Sequence, residues 1–170
     1  KEAENTVLLF VPGEEDPIER LYDCYAAMLY RLALSVLKNC EDAEDAVQSV
    51  FEKYVVHPHL FLSAEHEKAW LVRVTMNQCK DILRRREIRR AVPLEEAVQV
   101  GVWDEHSEVL DSLEKLPEEY RVPLILYYFE QWQVGEIARA LRLGVSAVKM
   151  RLKRGRELLK NALEGGGEHD

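Results

Sequence analysis

The residues best placed for chemistry lie near the C-terminus, on a run that is both cationic and periodic. Between Arg139 and Lys160 stand Arg142, Lys149, Arg151, Lys153, Arg154 and Arg156, opposed by Glu157 alone. Helical spacing puts Val148, Leu152, Gly155 and Leu159 on one inward line. Ser146, Ala147, Lys149, Met150, Lys153 and Arg154 then point outward, flanked by Arg151 and Arg156. A helix with one apolar face and a cationic opposite face suits the major groove of a nucleic-acid duplex. Its early residues reach base edges, while the later Arg and Lys meet phosphates. Upstream, Glu136-Ile137-Ala138 and the turn Arg142-Leu143-Gly144 complete the layout of a helix-turn-helix, with Gly144 free to adopt a positive φ.

A second candidate surface lies mid-chain. Trp70, Arg73, Asn77, Lys80 and Arg84 fall at i, i+3, i+7, i+10 and i+14, one stripe of a helix. An aromatic interleaved with Arg, Asn and Lys fits single-stranded bases through stacking and phosphate contacts. It fits equally a Trp70 that belongs partly to the core. Arg84, Arg85, Arg86, Arg89 and Arg90 make a dense cationic end that holds a phosphate backbone without reading sequence. A third stripe, Asp45, Gln48, Ser49 and Glu52, is acidic and polar at i, i+3, i+4 and i+7. Such a stripe can pair with a basic partner helix, or simply face solvent.

Composition first argues the other way. The 170 residues carry a net charge of −8, unpromising for a ligand of nucleic acid. The charge is segregated, however: two basic segments are separated by an acid-rich stretch from Glu95 to Glu119. This pattern suits two contacts with one polyanion. No apolar run approaches the ~20 residues that span a bilayer, and no signal-peptide pattern opens the chain, so a cytoplasmic protein without a membrane span is expected. Cys24, Cys40 and Cys79 are too far apart for a zinc or redox pair and read as core or incidental thiols in a reducing compartment. An enzyme is disfavoured. His57 and His59 flank a proline and cannot share a helix face, His66 adds no clustered ligand set, and no phosphate loop or nucleophile–base pair is present. No cofactor is expected.

The elements that must position these stripes are all helical. Asp16-Pro17-Ile18-Glu19 is a strong helix start, and Leu21, Tyr25, Met28, Leu29, Leu32 and Val36 follow at helical spacing. A second helix places Ala43, Val47, Val50 and Tyr54 on one face. His57 to Glu67 reads as a loop that includes Phe61, and a third helix runs from about Glu67 to Arg90 with Val72, Met76, Cys79 and Leu83 inward. The sequence predicts one three-helix module over 16–90, a linker over 91–106, and a second helical module over 107–163. In that second module Glu118 to Glu130 is expected as a single helix kinked at Pro123. Thr6 to Val11 has no clear place, and Trp132 is expected to pack on a neighbour or a partner.

Taken together, these residues resemble a known family. Ala43 to Phe51, Ala69-Trp70-Leu71, Asn77, Asp81, Arg84 and Arg85 resemble region 2 of an extracytoplasmic-function (ECF) sigma factor, group IV of the sigma-70 family. Leu116 to Arg121, Glu136-Ile137-Ala138, Val148-Lys149 and Arg151 to Arg156 resemble its region 4. The resemblance covers about residues 16 to 163. It implies an all-α protein of two small domains, a region 2 three-helix bundle and a region 4 helix-turn-helix, joined by a linker. It also implies binding to core RNA polymerase and promoter DNA, commonly under an anti-sigma factor. By resemblance, Asp45, Gln48, Ser49 and Glu52 grip the polymerase clamp helices. His57, His59, Phe61, Trp70, Arg73, Asn77, Lys80, Arg84 and Arg85 serve the minus-ten element, and the last helix reads the minus-thirty-five element. The family usually has Gly at the position of Arg142, Ser or Thr at Gly144, and Thr at Ala147. A helix-turn-helix regulator acting without polymerase is the alternative, but it leaves the first module unexplained.

Overall fold

The computed structural model describes residues 16–56, 61–90 and 108–165. Over these residues the chain is all-α, with α1 Pro17–Leu37, α2 Cys40–Val56, α3 Ala64–Arg90, α4 Glu108–Glu114, α5 Glu118–Leu124, α6 Val134–Leu141 and α7 Val145–Gly165. A π-helical turn, Ile125–Phe129, follows α5. Thr6–Val11, His57, His59 and the linker 91–106 lie outside the described residues.

Local chemistry sets the helix ends. The Asp16 carboxylate accepts the Ile18 N–H at 2.9 Å, and Pro17 occupies the first position, where its missing N–H is no loss. Lys38, left-handed at φ 52°, ends α1, and Asn39 Oδ1 accepts the Asp42 N–H at 2.9 Å to begin α2. Ser63 Oγ accepts the His66 N–H at 3.2 Å, so α3 starts at Ala64, a turn earlier than periodicity alone suggests.

Helices α1, α2 and α3 pack as a three-helix bundle around Leu21, Leu29, Leu32, Val50, Leu71 and Val72, all fully buried. Burying each such side chain stabilises the fold by roughly 1.5–3 kcal/mol. Beneath this core lies Glu67, a carboxylate only 6 % exposed. It accepts from Arg20 at 3.2 Å, from the Tyr25 hydroxyl at 3.3 Å and from the Tyr54 hydroxyl at 3.4 Å, tying all three helices. Near the other end of the bundle Arg86 donates to the Leu37 carbonyl at 3.0 Å and to the Asp42 carboxylate. Arg86 therefore locks the α1–α2 corner; its guanidinium is engaged in structure rather than held out for a phosphate backbone.

The second domain wraps α4, α5 and α6 around α7, with Leu113, Leu124, Ile125, Leu126, Ile137, Val148 and Leu152 buried. The expected helix over 118–130 is helical through Phe129, with its second half wound as a π turn. Pro123 supplies no N–H to the ladder, α5 ends at Leu124, and the π turn closes with Glu130 N–H on the Ile125 carbonyl at 3.2 Å. Arg121, 5 % exposed, caps the end of α4 by donating to the Glu114 and Leu116 carbonyls at 2.9 and 2.7 Å. Burial pulls its basicity below the ordinary arginine value despite Glu118 and Glu114 nearby.

Candidate nucleic-acid interface

The helix-turn-helix is made by α6 and α7. Glu136 accepts the Gln133 N–H at 2.8 Å at the start of α6. At its end Leu143 N–H reaches the Ala138 carbonyl at 2.9 Å and Arg142 N–H the Arg139 carbonyl at 3.4 Å, a Schellman closure. The left-handed residue of that closure is Arg142, at φ 54° and ψ 46°; Gly144, though free to adopt a positive φ, does not. Helix α6 ends at Leu141, as its sequence predicts, which puts the first position beyond the helix on Arg142. Gly155 then lets α7 approach α5 closely, because a β-carbon there meets Leu124 Cδ1 at 2.9 Å.

Of the inward line, Val148, Leu152 and Gly155 are buried and Leu159 is half-buried. Ser146, Lys149, Met150, Lys153, Arg154 and Arg156 are exposed, and Ala147 is half-buried. Met150, 66 % exposed, sits one turn from Ser146 and Lys153 in the middle of the open face. Arg154 pairs with Glu157 at 3.2 Å, and Arg156 donates to the Tyr128 hydroxyl at 3.4 Å. Both contacts are exposed and weak, so these cations stay available to a stronger anion. Arg151 departs from the group. It is half-buried, lies 3.9 Å from Glu119, and faces α3 rather than the open side of α7.

On α3 the stripe divides. Trp70 is half-buried in an aromatic cluster, its ring centroid 5.9 Å from Tyr54 and 5.7 Å from Phe61. Phe61 also meets His66 edge-on at 5.6 Å. Trp70 therefore fills a structural position while keeping an outer edge. Arg73, whose Nε donates to the Ala69 carbonyl at 3.2 Å, lines one wall of a cleft with Asn77 and Lys80. Arg84 continues past the cleft, exposed and paired with Asp81 at 3.1 Å. Arg85 belongs to a different groove, of about 300 Å³ between α2 and α3, which also contains Asp45, Gln48, Ser49 and Glu52. Within that acidic stripe Gln48 donates to Glu52 at 3.0 Å. The sequence did not indicate that Arg85 and the stripe form opposite walls of one groove.

Trp132 is 5 % exposed, with Lys68 Nζ of α3 5.6 Å from its ring centroid. The neighbour expected for it is thus the first domain of the same chain. The thiols divide: Cys24 is exposed, Cys40 half-buried and Cys79 buried, where desolvation pushes its pKa up to about 12. Among the described residues no cluster of His, Cys, Asp or Glu could hold a metal ion, and no helix is long and apolar enough to cross a membrane.

Comparison with known proteins agrees with this arrangement. Residues 21–91 match the family model for sigma-70 region 2, and residues 106–159 match that for sigma-70 region 4. The chain is 30 % identical to the ECF RNA polymerase sigma factor SigM of Bacillus subtilis, across 90 % of this chain and 98 % of that protein. It is 29 % identical to SigW of the same organism, across 89 % and 91 %. Among solved structures, the sigma factor RpoE in complex with the anti-sigma factor NepR from Bartonella quintana superposes with a TM-score of 0.64 at 21 % identity, over 86 % of this chain and 96 % of that one. CnrH in complex with the cytosolic domain of CnrY gives 0.63 at 24 %, over 90 % and 91 %. The two helical domains, the helix-turn-helix, the two family models and the 30 % identical relative lead to one conclusion: the chain belongs to the ECF sigma factors of the sigma-70 family, which bind core RNA polymerase and direct it to promoter DNA.

Proposed function

We propose a division of labour among named residues of this sigma factor. Ser146, Ala147, Lys149, Met150, Lys153 and Arg154 read the minus-thirty-five duplex, and Arg156 and Arg151 flank them. The observation that carries this is the exposure of the cationic face of α7 opposite the buried Val148, Leu152 and Gly155. Early side chains meet base edges while the Lys and Arg supply the salt-dependent phosphate term. Arg73, Asn77, Lys80 and Arg84, with Trp70, Phe61, His57 and His59, capture the minus-ten strand. Extruding a base costs a few kcal/mol, which stacking and a cationic track offset. Asp45, Gln48, Ser49 and Glu52 dock the polymerase clamp, with Arg85 on the opposite wall of the docking groove. The domains span 16–90 and 107–163, joined by a linker over 91–106 that threads into the polymerase. The protein acts by binding alone, without cofactor, in the cytoplasm. An anti-sigma factor is a fitting regulator, since the similar sigma factor RpoE was solved with the anti-sigma factor NepR.

In vitro transcription with core polymerase and a randomised promoter library tests the reading and returns the recognition sequence. Replacing Lys149, Lys153 and Arg154 together by Ala should abolish selection of the upstream element and leave polymerase binding intact. Replacing Asp45 and Gln48 should do the reverse. Loss of polymerase binding in the first variant, or retained transcription in the second, refutes the assignment.

A further inference from the structure

The outward face of α7 is cationic at its flanks and apolar at its crest. Each residue of an α-helix advances about 100° around the axis, so Met150 stands about 200° from both Val148 and Leu152, opposite the buried line. By the same geometry Ser146 and Lys153 lie about 40° and 60° to one side of Met150, and Arg154 and Ala147 about 40° and 60° to the other. Met150 is 66 % exposed, and the half-buried Ala147, three residues before it, extends the apolar strip. The pairs that join the two domains use no residue of α7 and leave this crest open. They are Arg31 with Glu130 at 2.7 Å, Lys68 with Glu136 at 4.0 Å, and Glu65 with Arg139.

A helix that presents this face to a major groove puts its crest deepest, against the base edges, and its flanks toward the phosphate walls. Lys149, Lys153 and Arg154 suit polar edges and phosphates alike. Met150 suits neither. Its thioether has no N–H or O–H to donate and accepts only weakly. A polar base edge covered by it gives up water without gaining a partner, which costs binding. One group in the major groove escapes that penalty, the C5-methyl of thymine, because every other group displayed there is a donor or an acceptor. An unbranched, polarizable side chain can mould itself to that methyl.

We propose that Met150 is a specificity-determining residue that reads the methyl group of a thymine in the upstream duplex, an inference that rests on the assignment of α7 to the minus-thirty-five element. The cations supply attraction and polar base contacts, while Met150 selects by packing on a methyl and by penalising any polar edge set in its place. The chain thereby senses C5 methylation of a pyrimidine at one position, telling thymine from uracil where hydrogen bonding alone reads both the same. Burying one such carbon is worth roughly three- to fivefold in affinity.

The test uses the full chain assembled with core polymerase, on the promoter returned by the randomised library. Each thymine of the upstream element, in either strand, is replaced in turn by deoxyuridine, which removes the methyl and nothing else. Binding is read by competition between labelled and unlabelled promoter fragments. At one position the wild-type holoenzyme should lose about three- to fivefold in affinity, and Met150→Ala should be indifferent to the same replacement. With cytosine placed at that position, 5-methylcytosine should bind more tightly than cytosine by a similar factor, again only where Met150 is present. Repeating the library selection with Met150→Gln, close in length but carrying an amide, should no longer return thymine there.

Equal binding of thymine and deoxyuridine at every upstream position overturns the proposal. So does a methyl preference that survives undiminished in Met150→Ala, or an upstream element in which no A·T pair is selected. Replacing Lys149, Lys153 and Arg154 together by Ala separates this inference from the reading beneath it. If that variant still selects the upstream element, the assignment of α7 has failed and the role of Met150 with it. If selection is lost while the wild type shows no methyl preference, the role of Met150 alone has failed.

Discussion

Gly155 gives the sharpest test of how the recognition helix is seated. It lies mid-helix in α7, where Gly is ordinarily replaced by Ala with a gain of about 0.5–1 kcal/mol. Here the new β-carbon falls 2.9 Å from Leu124 Cδ1, 3.2 Å from Leu124 Cγ and 3.4 Å from Tyr120 Cβ. Leu124 is 1 % exposed and has no solvent-filled space to move into. Forcing a methyl into a packed site costs about 1–3 kcal/mol. The clash outweighs the propensity, and Gly155→Ala should destabilise by up to about 2.5 kcal/mol on balance. The decisive measurement is the same change in a Leu124→Ala background, which itself costs about 2–5 kcal/mol. With both clashing atoms gone the sign reverses, and Gly155→Ala should now stabilise by up to about 1 kcal/mol. Urea unfolding followed by far-UV circular dichroism reads all four proteins of the cycle, provided the m-values agree. The expected coupling is about 1–3 kcal/mol. Additivity within about 0.5 kcal/mol, or a stabilising Gly155→Ala in the wild-type background, refutes the close approach of α5 and α7.

Other consequences can be checked independently. Burial and the Glu67 carboxylate raise the Tyr25 pKa from 10.0 to about 12, so its contribution is complete below pH 10 and lost as pH rises toward 12. Tyr25→Phe should flatten the fall in urea midpoint across that window, and an unchanged slope counts against the hydroxyl–carboxylate contact. Buried and with its pKa pushed up to about 12, the Cys79 thiol should alkylate far more slowly than the exposed Cys24 in native protein, as mass spectrometry can read; comparable labelling contradicts its burial. Arg142→Gly relieves a left-handed side chain and should raise the melting temperature, a gain of up to about 1 kcal/mol; a drop shows that the arginine side chain itself contributes. Arg86→Gln leaves Asp42 and the Leu37 carbonyl short of a charged donor and should cost about 1–3 kcal/mol in urea unfolding, whereas a neutral result removes Arg86 from the corner.

The sequence disclosed what depends on near neighbours. Asp16-Pro17 announced a helix start, and the inward line of Val148, Leu152 and Gly155 oriented the recognition helix before any coordinates. Where two local signals competed, the reading slipped by a few residues. Gly144 is the permissive residue of the turn, but the helix ends at Leu141 and the Schellman closure that follows gives the left-handed position to Arg142. What stayed hidden needs the third dimension. Glu67 reads as one more charge on a charged helix, and only the meeting of Arg20, Tyr25 and Tyr54 explains its burial. Arg86 is indistinguishable in sequence from Arg84 and Arg85, yet its neighbours make it a bolt while theirs leave them on the surface. The pairs joining the two domains were equally invisible, because each partner alone is an ordinary solvated side chain.

The π turn at Ile125–Phe129 governs rotational phase. Its bond spans five residues where an α-helix spans four, so it accommodates one residue more than a regular turn. Each residue of an α-helix advances about 100° around its axis. Deleting a single residue here would let the helix run on regularly and would swing everything after it by about that angle. Glu130 and Trp132, which follow within a few positions, would then face away from Arg31 and Lys68. A one-residue length change in this short aromatic stretch is therefore a natural dial for how two otherwise unaltered domains meet.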